Sequence, residues 1–219
     1  MNWSSTTLGA LLATLALVEV GCAPRPRMCT ASNECAAQSA CVAGRCQPEK
    51  ANVKPAIDAS RRMVVRPVDL AYVRRGEDAT VPPLFALGKD SAVLLLRFAV
   101  ALPESANVVE AYVVLRRSDA VDDDPSPISL HATRIVDGWQ GRSTSWGLLP
   151  RQAETKAPST LVEPGGPSMV RLDVRDLVRQ WPKHDPRDQG IAVVADNDTR
   201  TGTTFALAPS EPFLELYLR

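Results

Sequence analysis

Proline occurs eighteen times in these 219 residues, about 8%, against a usual share near ~5%. It breaks helix interiors and cannot donate to a central sheet ladder. A bundle of long helices is therefore excluded, and short elements joined by turns are expected. From Met63 onward short runs rich in Val, Leu, Ile, Phe and Tyr recur between Pro, Gly, Asp and Ser clusters. They are Met63–Arg66, Ala71–Arg74, Leu84–Leu87, Val93–Val100, Val108–Arg116, Ile128–Val136, Met169–Val174, Gly190–Ala195, Thr203–Ala208 and Phe213–Leu218. Runs of this length bounded by turn residues read as strands.

Alternation assigns faces to some of these runs. Leu94, Leu96, Phe98 and Val100 share one face, with Arg97 on the other. Val109, Ala111, Val113 and Leu115 do likewise, opposite Glu110 and Arg116. One helical exception is DVRDLVRQW, Asp173–Trp181: Leu177 and Trp181 lie four apart and would share a face with Val178 beside them. Asp173 could cap its start, and Pro182 stops it. The expected fold is all-β, a β-sandwich over 63–219 with nine or ten strands and a short helix near 174–181.

The N-terminal part has a different composition. Leu8–Val18 is an apolar run of eleven residues, short of the ~20 that span a bilayer and suited to the core of a secretory signal. Gly21-Cys22 behind it resembles a bacterial lipobox, in which the cysteine thiol is diacylated. Residues 1–21 are thus expected to be a lipoprotein signal peptide, and Cys22 the lipidation site. The five cysteines agree with this: Cys22 carries lipid, while Cys29, Cys35, Cys41 and Cys46 pair. Residues 22–28 read as a tether, 29–46 as a small disulfide-rich module, and 47–62 as a linker. The module cannot bury a core of its own, so cross-links must hold it. A four-thiolate zinc site would favour C-x2-C pairs, which the spacing C-x5-C-x5-C-x4-C lacks. The segment resembles Cys-rich modules behind the lipoboxes of myxobacterial and other deltaproteobacterial surface proteins. Localisation follows as the cell envelope, at the outer membrane or cell surface, with the membrane as a partner through the lipid.

Further motifs stand in order along the rest of the chain. They are DLAYV at Asp69–Val73, LLLRF at Leu94–Phe98, LPESANVVEAYVVL at Leu102–Leu115 and VDGWQGRSTSW at Val136–Trp146. LDVRDLVRQW at Leu172–Trp181, GIAVVAD at Gly190–Asp196 and PFLELYL at Pro212–Leu218 complete the series. This succession resembles the DNRLRE-domain family, also classed as carbohydrate-binding module family 96. The resemblance implies a jelly-roll-type sandwich on a bacterial surface or secreted protein. It also implies a non-catalytic domain that binds extracellular or envelope polysaccharide. Val81-Pro82-Pro83 replaces that family's Asn-Tyr-Gly-like turn, Gly141 its usual Glu, and Arg175 its usual Thr or Ser.

Candidate binding residues follow from side-chain chemistry. Trp139 and Trp146 flank a Gly/Ser/Thr-rich turn; they could stack on a pyranose face or anchor the loop to the core. Arg97, Arg134 and Arg142, with Arg116 and Arg117, could meet the carboxylates of an acidic polysaccharide or form ordinary cross-strand pairs. Asp122-Asp123-Asp124 reads first as a solvated loop, with calcium as the alternative. Asp196-Asn197-Asp198 begins like a calcium loop but has Arg200 at the next alternating position. His131 and His184 are the only histidines. No G-x-S-x-G elbow, H-E-x-x-H or P-loop occurs, so no enzyme activity and no cofactor are expected. Lys plus Arg and Asp plus Glu balance at 25 each, which argues against nucleic acid as a partner. The competing expectation is a structural or protein-interaction domain of the envelope without sugar binding.

Overall fold

The computed structural model describes residues 29, 34–36, 39–42, 45–48, 61–103, 105–118, 125–181, 190–207 and 211–219. The leader, Cys22 and the tether, residues 49–60 of the linker, the acidic run 122–124 and His184 lie outside them.

Two antiparallel sheets face each other. Sheet I has the order β10(Thr160–Val162), β8(Ile128–Ile135), β12(Gly190–Ala195), β6(Val93–Arg97), β4(Asp69–Val73), with β9(Gln152–Lys156) also on β8. Sheet II runs β3(Arg61–Val65), β14(Phe213–Leu218), β7(Val108–Arg117), β13(Thr203–Ala206), β5(Leu84–Leu87), with β11(Met169–Asp173) on β7. From β3 to β8 each strand lies in the opposite sheet from its predecessor. That repeated crossing is the jelly-roll habit, and it buries one face of the central strands against the other sheet.

The alternating residues meet in the middle. Leu94, Leu96, Phe98 and Val100 from one sheet pack with Ala111, Val113, Leu115, Leu214 and Leu216 from the other. Val109 does not join them. Leu218 pairs with Val108 and Tyr217 with Glu110, so Val109 is the extra residue of a bulge and Val108 takes the inward place. The helix is shorter than the periodicity predicts: α1 spans Arg175–Val178. Asp173 Oδ1 accepts from Arg175 N at 2.9 Å, which starts it. Leu177, Val178 and Trp181 are buried, and the Trp181 ring lies 6.2 Å from that of Phe98.

Twelve strands form the sandwich rather than nine or ten. The two unexpected ones are β9 and β10, end to end along one edge of β8. QAETK is mostly exposed and TLV is only three residues long, so neither carries a hydrophobic pattern. Ladder bonds to β8 define them instead.

Before the sandwich, β1(Ser39–Val42) and β2(Arg45–Pro48) form a hairpin, and β1 lies against β11. A disulfide joins Cys35 to Cys46, and Cys29 is disulfide-bonded as well. The side chain of Cys41 lies outside the described residues.

Candidate functional site

The predicted aromatics belong to a second apolar cluster on the outer face of sheet I. Ala71, Val73, Val93, Leu95, Ile135 and Ala192 supply its floor, and Trp139 covers them with 8% of its surface exposed. Trp146 and Leu149 pack at the margin. β6 is apolar on both faces for this reason: Leu94 and Leu96 face the main core, Val93 and Leu95 this one. Trp139 is thus packed against this floor, as an anchor of its loop would be.

Arg97 completes that anchor. Its guanidinium lies 5.7 Å from the Trp139 ring centroid, donates from Nη1 to Trp139 O at 3.1 Å, and from Nη2 to Asp69 Oδ2 at 2.9 Å. Gly141 N donates to the same Asp69 oxygen at 3.2 Å. A Cβ on Gly141 would stand 2.7 Å from Asp69 Oδ1 and from Leu70 O, so the loop meets β4 at a distance only glycine permits. Arg142 is exposed in the 3-10 turn Gly141–Ser143. Arg134 is half-buried on β8, on the other strand face from Ile135. The structure brings Arg97 and Trp139 together, but the predicted arginines do not form one surface.

The Asp196–Asp198 segment likewise spreads its oxygens. Asp196 Oδ2 accepts from Ser159 Oγ at 2.8 Å and Ser129 Oγ at 3.1 Å. Its Oδ1 lies 2.8 Å from His131 Nδ1 and 3.6 Å from Lys156 Nζ. Asn197 Oδ1 accepts from Ser129 N, and Asp198 Oδ2 from Ser91 N, both at 2.9 Å. Burial works to raise the Asp196 pKa, but the two hydroxyls and the His131 and Lys156 charges outweigh it and hold it low. Burial pushes the His131 imidazole down, Lys156 adds to that, and Asp196 opposes it. These residues bolt loops to sheet I.

A groove opens where the edge strands β4 and β5 face each other. One hollow of about 440 Å³ is lined by Tyr72, Arg74, Pro82, Leu84, Lys89 and Asp90, among others. A second, of about 470 Å³, shares Arg74 and Asp90 with it and continues to Arg75, Glu77, Ser91 and Asp198. Tyr72 ties the two sheets at its floor: its hydroxyl donates to Ala86 O at 2.9 Å, and its ring lies 5.6 Å from that of Phe85. Burial raises the Tyr72 phenol pKa. Leu84 is 38% exposed, and Val81 projects farther still. The rim thus offers an apolar strip beside its charges.

The rim is also strained. Asp90 and Ser91 have φ of 54° and 52°, a left-handed region that costs a residue with a Cβ roughly 1–2 kcal/mol. Neighbours impose it. Thr199 N donates to Gly88 O at 2.7 Å, Arg75 N to Asp90 O at 3.2 Å, and Arg75 Nη2 to Ser91 Oγ at 2.9 Å. Strain held by several surrounding bonds is common at binding and switch sites. Arg74 pairs with Glu77 at 2.7 Å, and the Arg75 guanidinium lies 6.0 Å from the Trp146 ring centroid. The side chains of Lys89 and Asp90 make no hydrogen bond or ion pair with another described residue. Of this rim the sequence singled out only Asp198, as part of a calcium-like loop, and Val81-Pro82-Pro83, as a replaced turn, neither of them as a binding wall. Arg74-Arg75 at a strand end and the Gly88–Ser91 turn are the only further signals of it.

Charge also gathers on the outer face of sheet II, to different effect. Glu215 is fully buried there. It accepts from Arg62 Nε at 2.7 Å, Arg171 Nε at 3.3 Å and Tyr217 Oη at 2.9 Å. Burial and the Glu215 charge push the Tyr217 phenol far up.

No model of a known protein family matches the sequence, and no curated protein matches it.

Proposed function

We propose that this chain is a non-catalytic cell-envelope lipoprotein whose sandwich binds extracellular or envelope polysaccharide. In this proposal Cys22 carries the lipid, and the disulfide-bonded module and linker hold the sandwich off the membrane. One observation carries the binding role: the β4–β5 edge holds a groove with an apolar strip, convergent charges and a strained rim. Sugars need that combination, because a pyranose presents C–H faces to apolar surface and hydroxyls to polar groups. The ordered motifs that resemble carbohydrate-binding module family 96 support the same class of ligand. The burial of Trp139 moves the expected contact from the Trp139/Trp146 turn to the groove beside it.

A glycan array of neutral and uronic-acid polymers, probed with the full chain, tests the binding role. Retained polysaccharide supports it. Binding to none would leave the structural or protein-interaction alternative. Fractionation of cells carrying Cys22→Ala tests the anchor: the variant should leave the membrane fraction, and an unchanged distribution would refute lipid attachment at that residue.

A further inference from the structure

The groove has a charge pattern that selects among polysaccharides. Arg74, Arg75 and Lys89 stand against Glu77, Asp90 and Asp198, three cations against three carboxylates, so the lining has no excess of either sign. The two guanidinium groups are engaged. Arg74 is paired with Glu77, and Arg75 donates to Ser91 Oγ while lying beside the Trp146 ring. Capture of a uronate is best served by a guanidinium with both fork nitrogens available. Here a polyanion would have to displace Glu77 and lie against Asp90 and Asp198. Asp198 Oδ2 is itself occupied by Ser91 N and Oγ. The charges left over are Lys89 and Asp90, adjacent and opposite in sign. One donates and the other accepts, as a ligand with hydroxyls on both sides of a ring requires. Tyr72, Pro82 and Leu84 offer apolar surface within the same hollow.

We infer that the β4–β5 groove takes an uncharged, hydroxyl-rich glycan and rejects uronic-acid polymers, with the Asp90 carboxylate accepting from sugar hydroxyls. This rests on the polysaccharide-binding proposal and narrows it. The backbone strain then has a purpose: the left-handed turn lifts Asp90 to the rim shared by both hollows.

The test is calorimetric titration of the full chain with neutral gluco-, manno- and xylo-hexasaccharides and with oligogalacturonate and oligoguluronate of the same length. At least one neutral oligosaccharide should bind, with affinity constant to within about twofold between low and high salt, because screening acts on charge pairs. Asp90→Asn tolerates the same left-handed backbone and keeps the side-chain shape. It should weaken neutral-glycan binding by about tenfold or more, since a charged acceptor is lost, and leave the melting temperature unchanged. For a uronate the same change would remove a repelling charge and strengthen binding. Binding of uronates alone, or an affinity that holds or rises in Asp90→Asn, overturns the inference while polysaccharide binding stands. Binding of neither class overturns both.

Discussion

Glu215 and Asp90 stand in regions that use the same side-chain types for opposite ends. On the outer face of sheet II a buried carboxylate is met by two arginines and a phenol. In the β4–β5 groove three cations and three carboxylates line an open edge, and the side chains of Lys89 and Asp90 have no hydrogen-bond or ion-pair partner among the described residues. The first arrangement removes charge from water and must satisfy it internally. The second leaves charge at the surface on a turn whose own conformation is unfavourable. Charge that is fully committed stabilises a specific packing, and charge that is left available on a strained support is suited to a ligand.

The largest expected effect is at the committed cluster. Glu215→Gln leaves the buried Arg171 without a counter-charge, and the exposed Arg62 without its carboxylate, and should cost about 3–5 kcal/mol, seen as a lower urea midpoint. A loss under 1 kcal/mol would show that the two regions do not differ as described. Next comes the support of the groove turn. Gly202 has φ of 68°, and a Cβ there would lie 2.4 Å from Leu87 O. Gly202→Ala should therefore destabilise by roughly 2 kcal/mol or more. Tyr72→Phe removes the bond to Ala86 O across the sheets and should cost about 1 kcal/mol. Asp90→Gly relieves the left-handed strain but adds freedom to the unfolded chain. Its stability should change by no more than about 1 kcal/mol in the favourable direction, although the acceptor is lost.

The pH response sharpens the contrast from another side. His131 binds its proton less readily folded than unfolded, so its contribution is complete above the unfolded value of 6.5 and declines as pH falls through it. Asp196 is held low, so its contribution fades only in stronger acid. Glu110 acts oppositely: burial, with Asp173 nearby, raises its pKa, so protonation favours the fold. Melting temperature followed from about pH 7 to about pH 5 should fall less steeply in His131→Gln than in wild type. An equal slope would remove His131 as the source.

Ten of the twelve sandwich strands were legible in the sequence because their side chains meet the core and carry its pattern. Trp181 was legible as a core residue for the same reason. β9 and β10 were not, since β9 is mostly exposed and β10 is only three residues long, and an edge strand of either kind is defined by backbone bonds that any sequence can make. The bulge at Val109 was hidden because one extra residue leaves the apolar composition unchanged. Trp139 was ambiguous: a tryptophan beside glycine suits a sugar platform and a loop anchor equally, and only the apolar outer face of β6 decides between them. The groove was the least legible part. Its walls come from Tyr72–Glu77, Thr80–Ser91 and the Asp198–Thr199 pair, and the left-handed turn uses Asp90 and Ser91 where glycine would have announced it. A surface assembled from separate segments by sheet pairing leaves no local motif.

The most direct test of the groove as the binding surface is hydrogen–deuterium exchange on the full chain, with and without a saturating neutral hexasaccharide. The account predicts slowed exchange confined to residues 72–91 and 196–199. Slowed exchange in the Asp137–Trp146 loop or along β10 and β11, with the groove segments unchanged, would contradict it.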